Sequence, residues 1–278
     1  MKLSIITLSE NTAGSPDLLA EWGLSIYLEV DGLSILFDTG QSISAAFNAG
    51  LLGIDLKKVN KIILSHGHRD HTGGLEWVLT EVGKEVEVIA HPDIWKPKYR
   101  CGKGAKEKYI GIPFERLRLE SLGACFSLSR EPKKITDNII TSGEIPMVTD
   151  FEVLPSYLCV KENDRLIQDS LFDDQALIIT TRLGLVVILG CGHHGLINTL
   201  YHAQKLTGVE KIHMVLGGCH LVSASEEQIL CTINALRELK VERIGVSHCT
   251  GMRASFLMAQ EFGDSFFYNN TGTKVEVP

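Results

Sequence analysis

Between Ser65 and Gly74 the chain reads Ser65-His66-Gly67-His68-Arg69-Asp70-His71-Thr72-Gly73-Gly74. Three imidazoles and a carboxylate fall within six residues, directly after the apolar segment Lys61-Ile62-Ile63-Leu64. Imidazole nitrogen and carboxylate oxygen are donors that zinc, iron and manganese accept. A buried strand that delivers this run to a loop can aim His66 and His68 at one ion. Asp70 and His71 then face a second ion beside it. The run supplies two ligands per ion at best. A fold built around it must therefore bring distant donors to the same strand tip.

Three such donors follow apolar stretches. His193 lies in Gly190-Cys191-Gly192-His193-His194, His220 in Gly217-Gly218-Cys219-His220-Leu221, and His248 in Val246-Ser247-His248-Cys249-Thr250. Ligands on loops after strands fit a site at one edge of a sheet. Adjacent side chains of an extended segment point to opposite sides, so His194 is expected to turn away from His193 if this segment is extended. His91, His202 and His213 lack ligand-like surroundings and read as structural or surface residues. Cys191, Cys219 and Cys249 each sit within two residues of a candidate histidine.

Periodicity supplies the frame. Residues 2 to 8, 24 to 30 and 33 to 38 read as strands, with Asp31-Gly32 as a tight hairpin turn. Residues 42 to 50 read as a helix, 55 to 59 as a turn, 61 to 65 as the buried strand, 73 to 82 as a helix and 86 to 90 as a strand. From 91 to 134, Pro92, Pro97, Pro113 and Pro132 break any long element. Residues 138 to 154 and 157 to 160 read as strands. A hairpin is expected over 175 to 190, turning at Arg182-Leu183-Gly184. Helices at 196 to 207, 225 to 239 and 252 to 262 alternate with strands at 211 to 217 and 242 to 247. This alternation implies an α/β sheet covered by helices. No linker rich in Gly, Ser or Pro divides the chain, so residues 1 to 278 read as one domain.

Composition narrows the function classes. No apolar stretch approaches the ~20 residues that span a bilayer. The N-terminus lacks the apolar core and cleavage site of a secretory signal. A cytoplasmic protein with no membrane partner is expected. Seven cysteines, an odd number with no Cys-x-x-Cys pair, argue against a disulfide framework or a zinc ribbon. A net charge of −7 argues against a nucleic-acid partner. Lys96, Lys98, Arg100, Lys103, Lys106 and Lys108 form a basic stretch, either a solvated loop or a clamp for an anionic substrate.

The motif His66-x-His68-x-Asp70-His71 resembles the signature of metallo-β-lactamase-fold hydrolases. Ile35-Leu36-Phe37-Asp38-Thr39-Gly40 resembles the strand and turn that precede the metal loop there. Glu21-Trp22-Gly23-Leu24-Ser25, Asp174-Gln175-Ala176-Leu177, Gly-Cys-x-His, Gly-Gly-x-His-Leu and His-Cys-Thr-Gly resemble, in order, a narrower group. That group includes the dihydropterin–ribofuranosylaminobenzene phosphate synthase of methanopterin biosynthesis.

The resemblance implies a four-layer αββα sandwich (α/β in the broad sense, α+β in the narrow) and one or two divalent ions. Zinc is favoured, with iron, manganese or magnesium as alternatives. It implies that His66, His68 and His193 hold one ion, that Asp70, His71 and His248 hold the other, and that Asp38 supports the loop without binding metal. Asp70 and His220 are the expected catalytic residues, with His220 either binding metal or donating a hydrogen bond to substrate. The segment 91 to 134 is expected to form a pocket wall or lid.

Two departures from the pattern stand out. Most members have Gly-Asp where this chain has Gly190-Cys191, and no histidine precedes Asp173-Asp174-Gln175. The group between the ions is thus Cys191, a water or nothing. Asn11 and Glu21 either reach the pocket or serve as caps. The implied reaction is condensation of a pterin diphosphate with an aminobenzene ribotide, a small anionic substrate pair. A generic metal-dependent phosphodiesterase or lactonase and a non-hydrolytic iron-binding redox or sensor protein are the alternatives.

Overall fold

Alternation of apolar residues within the strands fixes the layering. In the strand Ser25–Val30, Ile26 and Leu28 belong to one core and Tyr27 to another; in Leu33–Phe37, Ile35 and Phe37 oppose Leu36. Successive side chains of a strand point to opposite faces. Both faces here are apolar, so each sheet must be covered twice. The computed structural model describes residues 2–102 and 107–278. It meets the demand with two seven-stranded sheets face to face and helices on both outer faces. This is the expected αββα arrangement.

The first sheet runs Lys274–Val277, Leu3–Ser9, Ser25–Val30, Leu33–Phe37, Lys61–Ile63, Val86–Ala90, Ala124–Leu128. Its first three pairings are antiparallel and its last three parallel. The second sheet runs Lys134–Thr136, Ile139–Thr141, Ala176–Thr181, Gly184–Leu189, Ile212–Gly218, Arg243–Ser247, Phe266–Tyr268 and repeats the same sequence of pairings. The turn joining the second and third strands of the chain has positive φ at both Asp31 and Gly32, as a tight hairpin needs.

Between the sheets Ile26, Leu28, Phe37 and Ile63 meet Leu177, Ile179, Val186 and Ile188. Each such side chain, fully buried, contributes about 1.5–3 kcal/mol. Helices Ser44–Leu51 and Leu75–Val82 cover the first sheet, and Leu196–Thr207, Glu226–Glu238 and Met252–Phe262 cover the second. None of the helices among the described residues is long and apolar enough to cross a membrane. All seven cysteines are unpaired.

The segment 138 to 154 departs from expectation. Only Ile139–Thr141 is a strand. Pro146 and Pro155 remove ladder donors beyond it. Glu152 instead accepts the backbone N–H groups of Ile197 and Asn198 at 2.9 and 2.8 Å, capping the helix Leu196–Thr207. Phe266–Tyr268 and Lys274–Val277 are too short for periodicity to mark and become strands through pairing. Within 91 to 134, Ala124–Leu128 is a strand of the first sheet. Lys98–Arg100 and Lys108–Tyr109 join Leu158–Glu162 and Arg165–Gln168 in a separate four-stranded antiparallel sheet.

That small sheet is pinned to the rest by Lys98. Its ammonium is fully buried, 2.8 Å from both Asp169 Oδ2 and Asp173 Oδ1. Burial works against the charge, and the two carboxylates override it, raising the Lys98 pKa. Asp173 also accepts the Gly67 N–H at 2.8 Å, so the ion pair reaches the histidine loop. Removing one partner of a buried pair costs about 3–5 kcal/mol. Lys98→Met is therefore expected to lower unfolding free energy by about that amount in denaturant titration. A loss under about 1 kcal/mol would contradict this role.

Candidate metal centre

The histidine loop leaves Lys61–Ile63 and turns at once into the short helix Arg69–Thr72. The loop is held from below by Asp38, fully buried with φ 58°. Asp38 Oδ1 accepts the Ser65 N–H at 2.7 Å; Oδ2 accepts the Ser65 hydroxyl and meets His71 Nδ1, each at 2.7 Å. Two close approaches require glycine. A Cβ on Gly74 would lie 1.9 Å from the Thr39 carbonyl oxygen, and one on Gly190 would lie 2.0 Å from Ser65 Oγ. Gln175 ties the second sheet to this edge, its side chain donating to the Leu64 carbonyl and its N–H to that of Ser65, both at 3.0 Å.

His66, His68 and His193 form one donor group. His66 Nε2 lies 2.9 Å from His68 Nδ1, and His193 Nε2 lies 3.3 and 3.2 Å from them. Burial pushes His68 down to about 3 and holds His66 and His193 well below the ordinary histidine value. The rings are therefore neutral. Three neutral nitrogens that converge on one point cannot all be satisfied by N–H donation among themselves. The protein partners set the lone pairs. Ser65 Oγ gives its proton to Asp38 and accepts from His66 Nδ1 at 2.9 Å, which leaves the lone pair on Nε2. His68 Nε2 and His193 Nδ1, the ring atoms facing away from the other two, are buried with no partner among the described residues.

Asp70, His71, Cys191 and His248 form a second group. His71 Nε2 lies 3.2 Å from His248 Nε2 and 3.1 Å from Cys191 Sγ; Asp70 Oδ2 lies 3.3 Å from His248 Nε2. His248 Nδ1 donates to Asn11 Oδ1 at 2.9 Å, and the His248 N–H donates to Glu10 Oε1 at 2.6 Å. The Trp22 indole N–H donates to Asp70 Oδ2 at 3.0 Å. Burial alone would depress His71, yet Asp38 and Asp70 lift its pKa to about 9. Burial also opposes the charge of Asp70, and His71 and His248 hold its carboxyl far below the usual range. Convergent nitrogens at the first group, and nitrogens with a carboxylate and a thiol at the second, suit a divalent cation at each; His66, His71 and His248 have their outer nitrogens held by Ser65, Asp38 and Asn11.

Six of the seven expected site residues thus fall into the two expected groups, Asp70 being one of them. His220, the seventh, stands beside the first. Its ring lies 4.3 Å from that of His193, its Nε2 meets the Tyr157 hydroxyl at 3.0 Å, and its Nδ1 is buried with no partner among the described residues. Burial opposes protonation of His220, but Cys249, Asp174 and Asp70 raise its pKa. His194 turns away as expected, both ring nitrogens facing the carbonyls of Ile145 and Ser170 at 2.5 and 2.9 Å. His91, His202 and His213 bond to Glu144, Ser142 and Glu242 away from the centre.

A cavity of about 730 Å³ opens over the donors, lined also by Trp22, Arg69, Arg100, Lys108, Tyr109 and Tyr157. The basic stretch divides. Arg100 and Lys108 line the cavity; Lys96 pairs with Asp93 and Glu162, and Lys98 is the buried pin described above. Lys98 is thus no part of an anion clamp. Lys103 and Lys106 lie outside the described residues. Glu21 serves as a cap, accepting the N–H groups of Gln41 and Ser42 at 2.9 Å. Asn11 reaches the centre through His248. Tyr157 lies 63 residues from His220, and no sequence signal joins them.

The raised His71 pKa has a consequence for metal uptake. Below about 9 this imidazole is protonated in the metal-free protein, and a cation must displace that proton. Affinity at the second group is expected to rise with pH from neutrality towards about 9, as the His71 proton becomes easier to displace. Calorimetry of zinc binding in buffers of different ionisation enthalpy should show net proton release at neutral pH. Affinity independent of pH across that range would contradict the assignment of His71.

The sequence matches the family model of the metallo-beta-lactamase superfamily over residues 23–196. It is 36% identical over 275 residues to the 7,8-dihydropterin-6-methyl-4-(beta-D-ribofuranosyl)-aminobenzene-5'-phosphate synthase of Methanocaldococcus jannaschii, spanning 95% of this chain and 93% of that protein. An uncharacterised protein of the same organism is 34% identical over 266 residues, spanning 95% of this chain and 96% of the relative. The crystal structure of Tm1679, a metal-dependent hydrolase of the beta-lactamase superfamily, superposes with a TM-score of 0.83 at 30% identity over 99% of both chains. Sequence and architecture agree over almost the full length, and the chain belongs to the metallo-β-lactamase superfamily.

Proposed function

We propose that this metal-dependent enzyme acts on a small phosphorylated substrate at a zinc centre. Its reaction resembles that of the synthase: a pterin diphosphate condenses with an aminobenzene ribotide and diphosphate leaves. The observation that carries this reading is the lining of the cavity. The same space is bounded by both donor groups and by Arg69, Arg100 and Lys108. Guanidinium and ammonium groups over a metal centre favour an oxygen-rich anion. Trp22, Tyr109 and Tyr157 add aromatic surface suited to planar rings. The mixed nitrogen, oxygen and sulfur donors favour zinc.

Bound divalent ions supply Lewis acidity, neutralising phosphoryl oxygens or lowering the pKa of water from about 15.7 towards ~7. The chain's own residues do the rest. His66, His68 and His193 hold one ion, and Asp70, His71 and His248 the other. Asp70 stays ionised beside His71 and His248, with Trp22 fixing its orientation. His220, backed by the Tyr157 hydroxyl, gives a hydrogen bond or proton to the departing oxygen. Arg100 and Lys108, on the small sheet within the segment 91 to 134, bind the phosphate and form a wall of the pocket. The unpaired cysteines fit a reducing cytoplasm, and the net charge of −7 fits a small-molecule rather than a nucleic-acid partner.

A second reading, plain hydrolysis, is favoured by the likeness to Tm1679. Zinc-loaded protein supplied with pterin diphosphate and aminobenzene ribotide is expected to release diphosphate only when both are present. Arg100→Ala should raise KM for the phosphorylated substrate about 10- to 100-fold, the worth of one charged hydrogen bond. Turnover of phosphodiesters or lactones, with no diphosphate released from the pair, would contradict the synthase reading and support the hydrolase.

A further inference from the structure

Away from the metal centre, two thiols face one another on the small sheet. Lys98–Arg100 pairs antiparallel with Leu158–Glu162, which sets Tyr99 opposite Cys159 and Arg100 opposite Leu158. The ladder runs one residue further, where the Cys101 N–H donates to the Tyr157 carbonyl at 2.7 Å. Side chains two apart on a strand share a face. Cys101 and Cys159 are therefore diagonal neighbours on one face, and their thiols lie close enough to interact.

From this placement we infer that Cys101 and Cys159 form a reversible oxidation site, whose closure to a disulfide shifts the basic wall of the cavity. The bond itself is independent of the proposed reaction. Its effect on the wall rests on the reading of Arg100 as a phosphate-binding residue.

The two sulfurs have distinct parts. Cys101 is half-buried, whereas Cys159 is 7% exposed. Burial, and then Cys101 beside it, push the Cys159 thiol up. The thiolate is the nucleophile in exchange, so Cys101 reacts first with a small disulfide. Its sulfur bonds to one half of the reagent, and the other half leaves as a thiol carrying the Cys101 proton. Cys159 then gives up its proton and attacks the Cys101 sulfur, expelling the second half as a thiol. Two protein thiols are oxidised, and one small disulfide is reduced to two thiols.

Closure requires movement. Diagonal Cα atoms of an antiparallel pair lie about 7–8 Å apart, whereas a disulfide spans about 5.5–6 Å. The strand ends must draw together by roughly 1–2 Å. A bond formed under that strain is readily reduced, as a reversible one must be. The movement falls on the cavity. Arg100 precedes Cys101, its guanidinium sits 5.5 Å from the Tyr157 ring, and the Tyr157 hydroxyl meets His220. Cys191 and Cys249 also adjoin, but at the metal centre.

The test uses the zinc-loaded full chain, incubated with excess glutathione disulfide, alkylated in denaturant and mapped as unreduced peptides. A link between Cys101 and Cys159 is expected, and dithiothreitol should reverse it. Cys159→Ser should instead keep glutathione on Cys101. Cys101→Ser should form no link and take up no glutathione at Cys159. Calorimetry of inorganic diphosphate binding reads the wall. The oxidised protein is expected to bind about 10-fold more weakly than the reduced one, the lower worth of one charged hydrogen bond. Cys101→Ser should bind alike before and after treatment.

Treated wild type without the link overturns the inference, as does a link between Cys191 and Cys249 in its place. A link that leaves diphosphate affinity unchanged overturns the effect on the wall. Reduced protein that binds no diphosphate is a different result: it overturns the phosphate reading of the cavity, while the peptide map still decides the bond.

Discussion

One buried carboxylate organises the centre. Asp38 is fully buried, and it accepts three hydrogen bonds from the histidine loop, from the Ser65 N–H, the Ser65 hydroxyl and His71 Nδ1. Those bonds fix where the loop starts, which tautomer His66 takes and which way His71 faces. A buried anion this well satisfied is costly to disturb. The loop is thus positioned by the first sheet before any cation arrives. The remaining donors come from the second sheet, where Gly184–Leu189, Ile212–Gly218 and Arg243–Ser247 run parallel and end at one edge. The apolar core between the sheets holds those two sets of strand tips at a fixed separation.

The electrostatics favour a cation over the protein's own protons at one group and require competition at the other. Burial keeps His66, His68 and His193 neutral, so their lone pairs are available at neutral pH. The second group carries the negative charge of Asp38 and Asp70, and in the absence of metal a proton on His71 offsets it. A divalent ion held by Asp70, His71 and His248 would replace that proton with a larger charge. The two neighbouring groups consequently differ in donor chemistry and in how they respond to pH.

Much of this was legible in the sequence, and the limits have physical causes. The strand Lys61–Ile63 and the run from His66 to His71 marked the loop, because apolar strands followed by clustered donors have few other uses. His194 does point away from His193, onto two carbonyls, but through a turn at His193–His194 rather than the strand alternation the sequence suggested. The four layers were implied by the resemblance to the metallo-β-lactamase fold, and strands apolar on both faces give the physical reason for them. Lys98 misled, because a lysine among basic neighbours gives no hint that Asp169 and Asp173, some seventy residues later, will enclose it. The repeated pairing pattern of the two sheets left no repeat in the residues, since sheet pairing constrains hydrophobicity more than identity. Segment 138 to 154 read as strand, while Pro146 within it, Pro155 just after it and Glu152 commit most of it to a loop that caps a helix. The partners of His220 and His248, Tyr157 and Asn11, come from contacts between distant loops that periodicity does not encode.

The central claim is that tips of both sheets enclose the same ions. Its most direct test is the metal content of protein purified without chelator, comparing wild type with His68→Ala and His193→Ala, one from each sheet. Each variant is expected to lose the ion of the three-histidine group, to the same extent, while keeping its fold. Full metal content in both would contradict the account.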